Sequence, residues 1–562
     1  LTQAPDLPAT TLVLSCYAAM FQGCNSLTQA PALPATTLTN YCYDNMFRDC
    51  TSLIQAPALP ATTLATYCYR SMFYGCTSLI QAPALPATTL TEYCYIHMFY
   101  GCTGLIQAPA LPATTLANYC YENMFRDCTS LTQAPTLPAM TLTSNCYNGM
   151  FLGCTSLTQA PALPATTLVE RCYYTMFANC TSLAKAPDLP ATTLATECYR
   201  GMFENCTSLA QAPALPATTL ANNCYQGMFY GCVSLTQAPA LPATTLGYSC
   251  YQAMFSSCTS LAQAPALPAT TLANYCYFGM FIGCTSLTKA PTLPATALAN
   301  SCYARMFQGC TSLTQAPALP ATTLAEYCYT NMFYNCTGLT QAPALPATTM
   351  AEYCYYQMFY GCTDLKLSST QTGEYTVAYR IPTAGTGTTA ISALNAMFTG
   401  TGGTFIGTPE INMTYYLSNT NEVIGGPIVV DPIVVNITAS NISKYFTVTN
   451  GSPYYFNGQG NVFTTNNKGI SSSTASTILT AKQDISEISF DYSYSSERPY
   501  DKFTLKVAGS FIENGVSGPT TAKSYNGSLA SGQTIEFNYI KDSSVDKNDD
   551  KCTFSNMVIK LG

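Results

Sequence analysis

Cysteine is the side chain with the most chemistry to offer in this 562-residue sequence, which holds 29 of them. Twenty-eight fall in pairs with seven residues between the members: Cys16 and Cys24, Cys42 and Cys50, and so on to Cys354 and Cys362. Zinc sites need clustered ligands at short spacings, and the chain has one histidine, so metal binding is not expected here. If the segment between paired cysteines is helical, the two sulfurs lie on one face but about 12 Å apart. A disulfide needs Cα atoms within roughly 7 Å. Free buried thiols are therefore favoured, with a stapled array as the alternative. The lone histidine, His97, reads as a surface residue rather than a catalyst. Asp546, Asn548 and Asp550 place oxygen ligands at alternate positions, a weak calcium pattern without the glycine and distal glutamate of an EF-hand. Paired carboxylates, a nucleophile motif and a phosphate-binding glycine loop are not evident in the sequence. The chain is expected to be no enzyme and to need no cofactor.

The cysteines are spaced by a repeat. A 26-residue sentence runs without insertion or deletion from Leu1 to Asp364, its first leucines at Leu1, Leu27, Leu53 and onward to Leu339, giving fourteen copies. Units this short bury their apolar faces only against neighbours, so the array is a solenoid. Positions 16, 17, 20, 21 and 24 of each copy are Cys, Tyr, Met, Phe and Cys, an apolar stripe that predicts a short helix over positions ~12 to 22. The Thr-Thr pair at positions 10 and 11 is a candidate N-cap. Position 23 is Gly in eight copies and Asn, Asp or Ser in the rest, which marks a left-handed backbone at a helix end. Proline at position 5 limits any strand to about positions 1 to 4.

The run Met-Phe-Tyr-Gly-Cys-Thr-Ser-Leu, followed by Leu-Pro, resembles the BspA-like (Treponema-type) leucine-rich repeat. Phe73, Cys76, Leu79, Leu85 and Pro86 occupy its signature positions. The unit is about three residues longer than that pattern, with Ala82 and Pro83 in place of bulkier strand residues. The resemblance implies a secreted or surface-displayed bacterial protein used in adhesion; similar arrays occur in phage-encoded proteins. The expected fold is thus an α/β solenoid with a short strand and a short helix per rung, followed by an all-β sandwich.

Variation is heaviest at positions 13 to 15, 18, 19 and 22. Position 22 carries Tyr74, Tyr100 and Tyr230 among its five tyrosines, and Arg48 and Arg126. Tyrosine and arginine supply rigid contact area and hydrogen bonds, so these five residues are the candidate binding positions, although drift on a solvated face also produces variability. Position 3 is Gln except for Lys185 and Lys289, a uniform face.

The domain reading is a solenoid over 1–364, a C-terminal cap over 365–426 that contains the echo Met397-Phe398, a Gly/Pro linker over 427–432, and a β-sandwich over 433–562. The last has alternating segments such as Ile485–Tyr494, Lys502–Val507 and Thr534–Tyr539, and is similar to jelly-roll modules of bacterial surface proteins. Only 9% of residues are charged and the net charge is −7, so nucleic acid is not an expected partner. No apolar run reaches the ~18 residues of a membrane span. Leu1 falls inside the repeating pattern, so the chain reads as processed or truncated. Expected partners are a host or bacterial surface glycan or protein, or further copies of the chain. Expected locations are the cell surface or extracellular space, with the virion surface as alternative. A self-assembling fibre and a phage receptor-binding fibre are the competing functions.

Overall fold

The computed structural model describes residues 1–347, 349–382, 390–411, 413–425, 433–467, 470, 472–482, 484–495, 500–518, 520–542 and 551–561. Two compact units result, Leu1–Pro427 and Ile428–Gly562.

The expected helix does not form. Among the described residues the sole α-helix is Ile442–Tyr445, outside the array. In its place each copy runs as consecutive tight turns, and the α/β rung is corrected to a helix-free one. Within a copy, the amides at positions 16, 18, 20, 22 and 24 donate to the carbonyl three residues back, as in Met46 to Tyr43 at 3.2 Å and Cys50 to Phe47 at 3.1 Å. The amides at 15, 17, 19, 21 and 23 donate instead to the next copy. Tyr43 reaches Cys68 at 3.0 Å and Phe47 reaches Met72 at 2.9 Å. Alternate amides thus close the rung and join it to its neighbour, which meets the pairing requirement of buried backbone.

This path needs a left-handed residue every fourth position. Tyr41, Asn45 and Asp49, at positions 15, 19 and 23, have φ of 58°, 53° and 60°, and their counterparts repeat the pattern in copy after copy. Position 23 was legible as left-handed; positions 15 and 19 were not, because they hold Tyr, Arg, Thr and His as well as Gly and Asn. The pitch explains why turns replace the helix. Packed helices sit 8–10 Å apart, whereas the buried rings of successive copies lie 5.5–5.9 Å apart, as in Phe21–Phe47 and Tyr17–Tyr43. On the opposite side, position 3 forms an unbroken series of parallel bridges from Gln29 to Gln341. Each bridge between copies is one residue long, although the proline at position 5 does not forbid a longer pairing, since Pro343 of the last copy lies within the strand Gln341–Pro343. Thr at position 11 forms further bridges, such as Thr37 with Thr63, instead of capping a helix.

The core is a set of columns. From the second copy on, Cys, Tyr, Met, Phe and Cys of the turn side meet Leu of positions 1 and 7 and Ala of position 9, all buried. All 29 cysteines are free thiols. From the second copy on, the second cysteine donates its S–H to the phenylalanine carbonyl of the preceding copy: Cys50 to Phe21 at 2.9 Å, Cys76 to Phe47 at 3.1 Å, and onward to Cys362 and Phe333. Burial pushes these thiols up, Cys50 to about 11 and Cys232 to about 12.

After the fourteenth copy, residues 391–399 add one more turn rung. Phe359 donates to Met397 and Gly361 to Thr399, Ser392 and Ala396 take positive φ, and Phe398 stacks on Phe359 at 5.6 Å. Strand Lys366–Ser368 pairs in parallel with Gly402–Gly403 and antiparallel with Thr414–Ser418, which also pairs Tyr375–Arg380. Glu422–Ile424 lies parallel to Gln341–Pro343.

The second unit is a sandwich of two sheets. One orders Lys523–Leu529, Ile485–Ser495, Lys551–Leu561, Val462–Thr465 and Phe456–Gln459, with Ile433–Asn436 also on Lys551–Leu561. The other orders Ser510–Val516, Lys502–Val507, Thr534–Ile540, Thr474–Ala481 and Phe446–Asn450. Phe456, Phe537 and Phe554 meet at its centre.

Two outcomes follow from the array. Far-UV circular dichroism of the chain is expected to lack the 222 nm helical minimum, and a helical spectrum would refute the turn column. In the folded protein at pH 8 a thiol reagent should modify only Cys16, which is exposed, and half-buried Cys24. All 29 thiols should react after denaturation. Rapid native reaction of the buried columns would contradict the packing.

Candidate functional site

The half-buried side chains at positions 15 and 22 of copies 2 to 5 form two columns. At position 15, Tyr41, Tyr67, Tyr93 and Tyr119 stack with ring centroids 4.8, 4.5 and 4.7 Å apart and planes within 13°. They are brought together because one residue type recurs at one position of consecutive rungs. Each sits in the left-handed region, at a cost of about 1–2 kcal/mol. The amide hydrogen bond to the next rung at about 0.5–1.5 kcal/mol and a ring stack of similar worth offset that cost.

At position 22 the sequence supplies Arg48, Tyr74, Tyr100 and Arg126 in four successive copies. The Arg48 guanidinium lies 4.4 Å from the Tyr74 ring centre, Tyr74 stacks on Tyr100 at 4.7 Å, and Arg126 lies 5.3 Å from Tyr100. Asp49 and Asp127 sit beside the two arginines at 3.4 and 3.6 Å. These exposed ion pairs are worth little energetically and mainly hold the guanidinium planes over the rings. Between the columns Arg70 grips Asp44 with two bonds, 2.7 and 2.5 Å, and lies 4.9 Å from the Tyr67 ring.

His97 stands between the columns and is half-buried, not the surface residue its place in the sequence indicated. Its ring meets the edge of Tyr100 at 6.0 Å, and Nε2 is 3.5 Å from Asn123 Nδ2. Burial, and then the charges of Arg126, Arg48 and Arg70, lower its pKa to about 4. Neighbouring Glu122 is raised to about 7 by desolvation, and its carboxylate accepts a hydrogen bond from Asn148 at 3.0 Å. In copy 8, burial opposes the charge of Glu197, but hydrogen bonds from Arg171 and Arg200 outweigh it and hold its pKa below the usual carboxylate range. The arrangement offers flat rings, paired charges and amide groups, which suits recognition by stacking and hydrogen bonding.

The repeat profile described as "BspA type Leucine rich repeat region (6 copies)" matches residues 6–132, 66–209, 118–262, 172–314 and 252–377, in overlapping windows. The chain belongs to the BspA-type leucine-rich repeat family. No curated protein sequence matches it. Among solved structures, "Crystal structure of TLR13-ssRNA13 complex" is similar over 50% of this chain and 38% of that one, with 15% identity and a TM-score of 0.21. The match thus spans less than half the length of that chain, a likeness too slight to bear on ligands.

Within this BspA-type array, four of the five position-22 residues singled out from the sequence converge. The fifth, Tyr230, is exposed in copy 9 and lies apart from them, between Glu204 and Ser256 in the adjoining copies. The tyrosines of position 15 were missed, although their recurrence in four consecutive copies was visible. Among the described residues no group of three or more His, Cys, Asp or Glu is placed to hold a metal. Asp546, Asn548 and Asp550 lie outside the described residues.

His97 is the only histidine, so its imidazole gives one isolated NMR signal. It is expected to keep the neutral shift from pH 7.5 down to pH 5. The folded pKa of about 4 lies below the unfolded value near 6.5, so the unfolded state binds the proton first. The contribution of His97 to stability is therefore intact above pH 6.5 and lost as pH falls toward 4. Titration with a midpoint near 6.5 in the folded protein would show an open, solvated ring instead.

Proposed function

We propose that this chain is a non-enzymatic extracellular surface protein of a bacterium that binds a glycan or protein through the half-buried aromatic face of its repeats. The observation that carries the reading is the continuous Arg48–Tyr74–Tyr100–Arg126 stack beside the Tyr41–Tyr119 column. Drift on a solvated face would not place rings at matching positions of successive rungs with arginines closing both ends. Tyr and Arg are the residues that dominate binding energies at interfaces. Family membership supports a surface role, and no helix among the described residues is long and apolar enough to cross a membrane.

On the same reading, residues 365–426 close the apolar end of the array, 427–432 form a linker, and 433–562 act as a second module. The buried side chains of Tyr379, Met397 and Phe398 against the last full copy favour a capping role. Rigid, near-identical rungs then serve to hold the variable positions in register.

The test is binding of the full chain to a glycan array, an extracellular-matrix protein panel and whole bacterial and epithelial cells. Replacing Tyr74 and Tyr100 together by Ala should weaken whatever binding is found by at least ~30-fold, the scale of an aromatic anchor. Tyr230→Ala in the same assay reports whether the isolated position contributes. Undiminished binding by the Tyr74/Tyr100 double variant would overturn the assignment of this face. Filaments of the purified chain, seen by electron microscopy without any ligand, would favour the structural fibre instead.

A further inference from the structure

Copy 12 is notched where its neighbours are aromatic. Its positions 15 and 18 are Ser301 and Ala304, both buried, whereas copy 11 has Tyr275 and Phe278 there and copy 14 has Tyr353 and Tyr356. Tyr327 of copy 13 stacks on Tyr353 at 4.8 Å with planes 5° apart. Its other face turns toward copy 12, where the column lacks a ring. Tyr275, across the gap, makes only tilted ring contacts, with Tyr248 at 5.5 Å and Phe278 at 5.9 Å. The missing pair of large side chains leaves a cleft of about 410 Å³, within the usual range for small-ligand sites.

In the same three copies Tyr277, Tyr303 and Tyr329 are spaced 5.7 and 5.9 Å apart, so Tyr275 and Tyr327 lie two such steps apart, about 11–12 Å, which is room for one six-membered ring between two platforms. The floor and rim are polar. Ser301 lies at the bottom, buried Asn331 beside it, and the exposed guanidinium of Arg305 stands 5.8 Å from the Phe278 ring. Asn331 donates through Nδ2 to Gln357 at 3.0 Å, which engages its amide nitrogen and keeps its carbonyl oxygen as an acceptor.

We propose that this cleft binds a single pyranose ring of an uncharged glycan, seated on Tyr327 with Tyr275 and Phe278 opposite. A pyranose presents C–H groups on its two faces and hydroxyls around its edge. The cleft presents aromatic rings to the faces and Ser301, Asn331 and Arg305 to the edge. A wholly apolar ring would desolvate those edge groups without replacing their hydrogen bonds, which costs about 1–3 kcal/mol for each group left unpaired. Glu326 adjoins Tyr327 in the chain and the Tyr327 amide donates to the Glu352 carbonyl at 3.0 Å, so two acidic residues flank this platform against the single guanidinium of Arg305, which disfavours an anionic sugar. The inference rests on the ligand-binding reading of the repeat face and names a ligand class and a place for it.

Saturation-transfer NMR on the full chain tests it, with methyl β-glycosides of glucose, galactose and N-acetylglucosamine as probes and phenol as the aromatic control. Transfer to the ring protons of at least one glycoside is expected. Ser301→Tyr should remove it, because the added ring completes the column. Tyr already occupies this position in seven copies at φ of 54–59°, and Ser301 has φ 54°, so the variant keeps the fold, which its melting curve checks. Tyr327→Ala should weaken the same signal by about tenfold or more, as loss of an aromatic anchor does. Transfer to phenol alone, no transfer to any glycoside, or undiminished transfer in Ser301→Tyr would each overturn the proposal. Glycan or cell binding that falls in the Tyr74/Tyr100 double variant but not in Ser301→Tyr would sink this cleft while leaving the wider reading in place.

Discussion

Everything in the array depends on the alternation of backbone amides between the rung and its neighbour. Tyr43, Asn45, Phe47 and Asp49 donate to the next copy, and Cys42, Asp44, Met46, Arg48 and Cys50 donate backward within their own. Neither half suffices alone, because a turn without neighbours leaves half its amides unpaired and a stack without turns cannot bring two adjacent residues inward at each step. The left-handed residue at every fourth position resets the chain after each inward pair. Substitution at these positions is tolerated only as far as the cross-rung bond outweighs the backbone strain.

Side chains follow from that path. Two buried ring columns, at positions 17 and 21, add about 0.5–1.5 kcal/mol per stacked pair beyond burial, while exposed ion pairs such as Arg48–Asp49 add about 0–1. Rung association is therefore apolar and aromatic, and charge serves to orient the surface. Cysteine suits position 24 because it is small, tolerates full burial and still has a proton for the phenylalanine carbonyl. Thr401 takes the corresponding place in the final turn rung, but its hydroxyl donates within that rung, to the Phe398 carbonyl at 2.8 Å, instead of to the preceding copy. Asx side chains at position 23 lie over the same position of the following copy. Asp127 occupies the space that a Cβ on Gly153 would need, and Asn205 does so at Gly231. The neighbouring choices are thus coupled from rung to rung.

The exposed face inherits this register. A tyrosine recurring at position 15 or 22 in consecutive copies must stack, since rungs are nearer than two unstacked rings allow. A small residue in such a run must leave a cleft, as at Ser301. Recognition surfaces on this scaffold are in effect written one residue per rung, with aromatic runs as platforms and interruptions as sites. His97 shows the cost of crowding such a face, its charge suppressed by burial and three arginines.

The sequence by itself determined the repeat, its period, the inward set Cys-Tyr-Met-Phe-Cys, the left-handed character of position 23 and the period-two alternation of segments such as Thr534–Ile540. Those are properties of spacing, and spacing survives without coordinates. It also placed Arg48, Tyr74, Tyr100 and Arg126 on the outside, though not in contact. The helix was misread because inward residues at i, i+1, i+4, i+5 and i+8 fit a period of 3.6 nearly as well as a period of four over so short a span. Only the stacked structure decided between them. A pitch below 6 Å on the turn side excludes side-by-side helices, and that pitch is set by contacts between copies, which no single copy contains. For the same reason the ring columns and the cleft at copy 12 became visible only when the rungs were laid on one another.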